Sequence, residues 1–177
     1  MAYEYLLASL PMIFFEDPPP FSSESFRSLC EAELSAAAMT ALDRVLSATP
    51  PPPGAGRFEH DWHARETQVR NEAALARATR AGVEAKPYLR THEGYDVFLK
   101  ESVSDAFERP NPLERERELD RTRWRLIDEG VGPIEPFGLS AVLAYAAKLR
   151  IAERWAARTE ESGRERLEAW MEGTRDE

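Results

Sequence analysis

His60, His63 and Glu66 come nearest to residues whose types and spacing can do chemistry. Side chains three apart on a helix can reach one ion, so the two imidazoles, flanked by Glu59, Asp61 and Glu66, present a possible metal-binding edge. A carboxylate-bridged centre needs matched Glu/His ligands from a second helix, and His92 is the only other histidine. A solvated helix face is the plainer reading, with no metal and no cofactor expected. Paired carboxylates recur at Glu16-Asp17, Asp128-Glu129 and Glu160-Glu161. Acid/base catalysis needs one carboxyl in a dry pocket beside another in a wet one, and in so acidic a chain such pairs read as helix caps or solvated faces.

Nucleophile and phosphate signatures are missing. Gly54-Ala55-Gly56-Arg57 is a proline-flanked linker, not a strand-to-helix turn that cradles phosphate. Cys30, the single cysteine, has no context that activates a thiol and reads as a small apolar residue on a helix. It excludes an intrachain disulfide and points to a reducing, cytoplasmic compartment. An enzymatic role is disfavoured on these grounds.

The elements that position these residues follow from apolar spacing and from proline and glycine. The 177 residues suffice for one helical domain, or for two lobes, 1–82 and 95–177, joined by a linker at 83–94. The opening Tyr3 to Phe15 run is split by Pro11 and closed by Glu16-Asp17. It lacks the basic flank and unbroken apolar stretch of a secretory signal, and is expected to anchor against later helices. Most of its aromatic residues, Tyr3, Tyr5, Phe14, Phe15 and Phe21, are expected in the core. Ser22 or Ser23 caps a helix, and Phe26 to Leu46 carries an apolar stripe that fits one long helix or two short ones.

Four prolines and two glycines at 50–56 exclude helix. An amphipathic helix of roughly seven turns is expected from Arg57 to Ala81, ending at Gly82. A short helix falls between Asp96 and Phe107. Asn111 caps the next, with Pro112 at its first position, to about Glu129. A final long helix starts near Leu139 or Ser140, runs past Trp155 and is kinked or divided at Gly163 before Leu167, Trp170 and Met171. No stretch alternates like a strand, so the predicted fold is all-α, a helical bundle or two packed lobes.

The net charge of −9 argues against a nucleic-acid partner, which calls for a clustered basic face. No apolar run approaches the roughly 20 residues that span a bilayer, so direct membrane insertion is not expected. A protein partner is.

Tyr5-Leu6-Leu7-Ala8-Ser9-Leu10-Pro11, followed by Pro19-Pro20-Phe21-Ser22, resembles a small bacterial family of uncharacterised proteins encoded among the subunits of a V/A-type ATPase. The resemblance extends to Trp62 with Arg70-Asn71, Asn111-Pro112-Leu113-Glu114, Arg123-Trp124, and Leu143-Ala144-Tyr145 with Lys148-Leu149 and Glu153-Arg154-Trp155. Leu143 to Arg154 is also similar to the Tyr-containing helices of the V/A-type ATPase C subunit, and Trp62 and Asn71 are spaced as Tyr145 and Arg154 are.

The resemblance implies a C-subunit-like, non-catalytic helical protein that couples the rotating central stalk to the membrane ring. Its partners would be ATPase subunits, and it would be cytoplasmic and peripheral to a membrane complex. The chain is much shorter than a C subunit and could supply only part of such a socket. Tyr145, Arg150, Glu153, Arg154, Trp155 and Tyr5 are the residues expected to matter for structure or partner contact. The alternatives are a cytosolic helical adaptor and a metal-binding helical protein using His60, His63 and Glu66.

Overall fold

Serine, asparagine, aspartate and glycine at helix ends cut this chain into elements. The computed structural model describes residues 3–132 and 136–159, together with Glu161, Gly163, Arg164, Glu168 and Met171. Seven α-helices run through residues 3–159, and no strand occurs among the described residues, so the fold is the all-α bundle that the patterning predicts. Glu160, Leu167 and Trp170, which the sequence reading also used, lie outside the described residues.

The opening segment contains a helix that its sequence did not announce. α1 (Glu4–Ser9) buries only Leu6 and ends before Pro11. Successive helical residues point about 100° apart at 3.6 per turn, so with Leu6 inward Tyr5 turns out and is 81% exposed. Phe14 is exposed as well, whereas Tyr3, Phe15 and Phe21 pack partly buried against the core. The expectation of buried aromatics is thus corrected for Tyr5 and Phe14.

α2 (Ser23–Glu31) is capped by Ser22, whose hydroxyl accepts the Ser25 N–H at 3.1 Å. α3 (Ala36–Ser47) begins at a second serine cap, Ser35, which accepts the Ala38 N–H at 3.3 Å. That local bond competes with helix continuation and makes the stripe from Phe26 to Leu46 two helices, not one. α3 ends at Ala48, which has φ 55°. A left-handed conformation costs an L-residue about 1–2 kcal/mol. Ala48→Gly is therefore expected to raise stability by about 0.5–1 kcal/mol, strain relief exceeding the extra chain entropy of glycine. The urea midpoint should rise with an unchanged slope.

α4 (Arg57–Ala81) starts where the Gly56 N–H meets the Glu59 carboxylate at 3.1 Å and stops at Gly82, φ 66°. The opposite oxygen of Glu59 accepts from Arg44 Nε at 2.8 Å, which ties the start of α4 to α3. Two amide side chains one turn apart on α4 then hold the returning chain. Gln68 gives and takes one bond each with the Asp96 backbone, at 2.7 and 2.9 Å. Asn71 does the same with Arg90, at 2.7 and 2.9 Å. The segment from Val83 to Tyr95, with a single 3-10 turn at Lys86–Tyr88, is pegged along α4.

α5 (Val97–Glu108) is capped by Asp96, and α6 (Pro112–Val131) by Asn111 with Pro112 in the first turn. α7 (Leu139–Ala156) buries eight residues, Val142 to Ala152, most of them around its circumference. A helix apolar on so much of its surface belongs in the middle of a bundle, and α7 packs on α2, α3 and α6. Its alanines allow close approach.

Two apolar clusters result. The first gathers Leu6, Phe26, Leu42, Phe58, Ile127 and the buried face of α7. The second lies between α4, α5 and α6, around Val69, Leu99, Val103, Phe107, Leu119 and Leu126. α4 and α6 contribute to both, and Trp62 packs against both. A Cβ at Gly130 would lie 3.1 Å from the Phe58 ring, so glycine in α6 permits this contact. No described helix is long and apolar enough to cross a membrane.

Candidate functional site

α7 carries most of the residues singled out in the sequence. Arg150 and Arg154 are four apart and share a face, while Glu153 and Trp155 point to either side of it. Arg154 and Trp155 share a partner on α6, while Arg150 reaches α3 and Glu153 reaches α2.

The centre of these contacts is Asp120 on α6, whose side chain is fully buried. One oxygen accepts from Arg123 Nη1 at 2.9 Å and from Arg154 Nη2. The other accepts the Trp155 indole N–H at 2.9 Å. Arg123 Nε continues to Glu66 Oε2 on α4 at 2.8 Å, and Glu66 Oε1 accepts from Arg70 Nε at 2.7 Å. An ionic chain thus joins α4, α6 and α7. A buried carboxylate is costly unless its lone pairs are filled and its charge is offset, and Asp120 has three donors for its two oxygens.

Burial alone would push the Glu66 carboxyl up. The Arg123 and Arg70 guanidiniums outweigh it and hold Glu66 below its ordinary value of 4.5. Burial likewise works against the Arg123 cation, and Glu66 and Asp120 reverse it. A depressed carboxyl contributes stability that is complete above its unfolded pKa and is lost as pH falls through the lower folded value. Glu66→Gln is therefore expected to cost about 2 kcal/mol near pH 7. The difference from the parent should shrink as pH falls below the ordinary value of 4.5. Urea unfolding across that range reads the result, and a pH-independent difference contradicts it.

The other α7 residues act as ties. Glu153 accepts the backbone N–H of Ser23 at 2.6 Å and also its hydroxyl, placing negative charge at the start of α2. Arg150 Nη1 donates to the Val45 carbonyl at 2.9 Å, near the end of α3. Burial first, and then the Arg154 charge, pull the Arg150 guanidinium down from its ordinary value. The Tyr145 hydroxyl donates to the Pro11 carbonyl at 2.9 Å, its ring lies 4.9 Å from that of Phe26, and burial pushes its phenol up to about 12. Arg117 and Arg158 stack over the Trp155 indole at 5.8 and 4.7 Å. Tyr5 alone among the six expected residues has no place here and faces solvent.

His60, His63 and Glu66 do not form a metal centre. Both Glu66 oxygens are held by guanidiniums, and among the described residues no group of three or more His, Cys, Asp or Glu side chains could hold an ion. Partial burial and Arg70 keep His63 below its ordinary pKa, so it sits as a neutral imidazole at neutral pH. Cys30 is fully buried, and desolvation pushes its thiol up to about 11. It has the inert character expected of a core cysteine.

Asp120, the centre of these contacts, is the side chain that sequence reasoning did not single out. Its signals were an acid directly after the apolar Leu119 and an arginine one turn on at Arg123, on a helix where charge is otherwise dense.

Residues 90–174 match the family described as protein of unknown function (DUF2764). The matched stretch is just under half the chain and contains α5, α6 and α7. It therefore includes Asp120, Arg123, Arg150, Arg154 and Trp155, while Glu66 and Arg70 lie outside it. No curated protein and no solved structure matches the chain.

Proposed function

We propose that this protein is a non-catalytic subunit or accessory protein of a V/A-type ATPase, acting by protein contact between the central stalk and the membrane ring. The sequence resemblance set out above supports this reading. One structural observation carries it furthest: the two most separated pieces of that resemblance touch. The Pro11 carbonyl of the opening heptapeptide accepts the hydroxyl of Tyr145 in the Leu143 to Trp155 stretch, 134 residues away. Arg123, Arg154 and Trp155, further residues of the resemblance, converge on Asp120. Pro11 with Tyr145, and Arg123 with Arg154 and Trp155, are thus resembling positions joined by contacts in the fold.

A coupling body must transmit force without deforming. Close-packed cores have low compressibility, and here two are joined by an ionic chain through three helices. The charge of −9 suits docking on a basic surface of stalk or ring. Tyr5, Met12 and Phe14, exposed on the opening segment, are the apolar side chains this reading assigns to the partner contact.

A tagged chain recovered from native membranes at moderate salt tests this reading. ATPase subunits, identified by mass spectrometry, are expected to come with it. The double variant Tyr5→Ala, Phe14→Ala should keep its thermal midpoint while recovery falls at least about tenfold, a loss of about 1.4 kcal/mol. Recovery of no ATPase subunit, from membranes in which the complex survives, contradicts the proposal.

A further inference from the structure

A cavity of about 150 Å³ opens between the end of α3, the middle of α4, α6 and α7. Its volume is several times the roughly 30 Å³ that one water occupies in the liquid. Four guanidiniums line it, those of Arg70, Arg123, Arg150 and Arg154, against the single carboxylate of Glu66. Trp62 and Ile151 belong to its apolar wall.

Charge does not balance around this space. Behind the wall, Asp120 offsets one further cation through its bonds to Arg123 and Arg154. Glu153, the next carboxylate on α7, bonds to the neutral Ser23 N–H and hydroxyl and keeps its charge, which acts on Arg150. Arg44, in the adjoining recess, is already neutralised by Glu59. Arg150 has a backbone carbonyl as its hydrogen-bond partner and makes no ion pair among the described residues. Four cations thus face three anions, and one positive charge is left over in a chain whose net charge is −9. Gathering like charges in a partly dry cleft is unfavourable unless an anion joins them.

We propose that this cavity binds a phosphate dianion, either free or as the end group of a phosphate monoester. A phosphate group carries about −1.5 to −2 at pH 7 and three strong acceptor oxygens, enough to take up the local excess and to bond more than one guanidinium. Planar guanidinium forks bind such oxygens in pairs. A carboxylate offers two acceptor oxygens where a phosphate offers three. Because the site is made of side chains from three helices, not of backbone N–H groups on a glycine-rich loop, it leaves no phosphate signature in the sequence. The inference is independent of the ATPase reading.

Isothermal titration of the full-length chain with inorganic phosphate, at fixed ionic strength in chloride buffer, tests it. Saturable one-to-one binding is expected, weakened at least about tenfold by Arg150→Met and less by Arg150→Lys, which keeps the charge but loses the fork. Arg70→Met, on a side chain 56% exposed, is the second variant should Arg150→Met fold poorly, and the same loss is expected. Arg57→Ala, 92% exposed and outside the cavity, should bind as the parent does. Glycerol phosphate distinguishes the two sources: tighter binding than inorganic phosphate assigns a monoester, weaker binding assigns the free ion. No binding above chloride, equal binding of acetate, or undiminished affinity in both arginine variants overturns the proposal.

Discussion

Asp120→Ala is expected to lower the unfolding free energy by about 3–5 kcal/mol, the cost of breaking a buried ion pair from one side. The carboxylate is fully buried and serves three donors on two helices. Removing it leaves the Trp155 indole N–H without an acceptor and leaves Arg123 with Glu66 alone. Domains of this kind are stable by only about 5–15 kcal/mol, so the loss takes a large share of the total. Asp120→Asn should cost less, because its amide oxygen can still accept from Trp155. Urea unfolding followed by far-UV circular dichroism and tryptophan fluorescence measures both. A loss under about 1 kcal/mol for Asp120→Ala, the range of an exposed pair, contradicts the network's assigned role.

Phe26→Ala is expected to cost a similar amount, about 3–5 kcal/mol, by another route. Its ring is fully buried in the first cluster, 4.9 Å from the ring of Tyr145 and 6.2 Å from that of Phe21. Truncation removes apolar contact and opens a cavity that the surrounding helices refill only in part. Tyr145 and Phe21 lose the surface that holds them, and with them the tie between Tyr145 and Pro11 weakens. Limited proteolysis should then cut within residues 10–22 faster than in the parent. Phe26→Leu, which fills most of the space, is expected to cost under about 1.5 kcal/mol. Equal losses for alanine and leucine would contradict a packing origin.

Much of the helical architecture was legible because its boundaries are chemically marked. Gly82, Asn111-Pro112 and the proline run at 50–53 allow few alternatives, and the helices they bound appear where expected. α7 ends at Ala156, just beyond Trp155. What stayed open was decided by single side chains. Ser35 splits the stripe after Phe26, a choice that apolar spacing cannot make because both outcomes share it. α1 was unreadable because six residues give too little periodicity to register.

The site was legible on one side only. Arg150, Glu153, Arg154 and Trp155 stood out on α7, but their partners Val45, Ser23 and Asp120 lie 34 to 130 residues away. Spacing within a helix carries no information about such pairings. The same limit made His60, His63 and Glu66 look like a ligand set. Helical spacing put them on neighbouring turns, and only the tertiary fold delivers Arg123 to the Glu66 carboxylate.

Direct binding of the purified full-length chain to purified V/A-type ATPase stalk subunits tests the central claim most closely. Size exclusion with in-line light scattering, at near-physiological salt, reports mass and stoichiometry together. A one-to-one complex that survives the column and that Tyr5→Ala, Phe14→Ala disrupts is expected. Separate elution of the chain and of an intact stalk assembly, at concentrations well above micromolar, would contradict it.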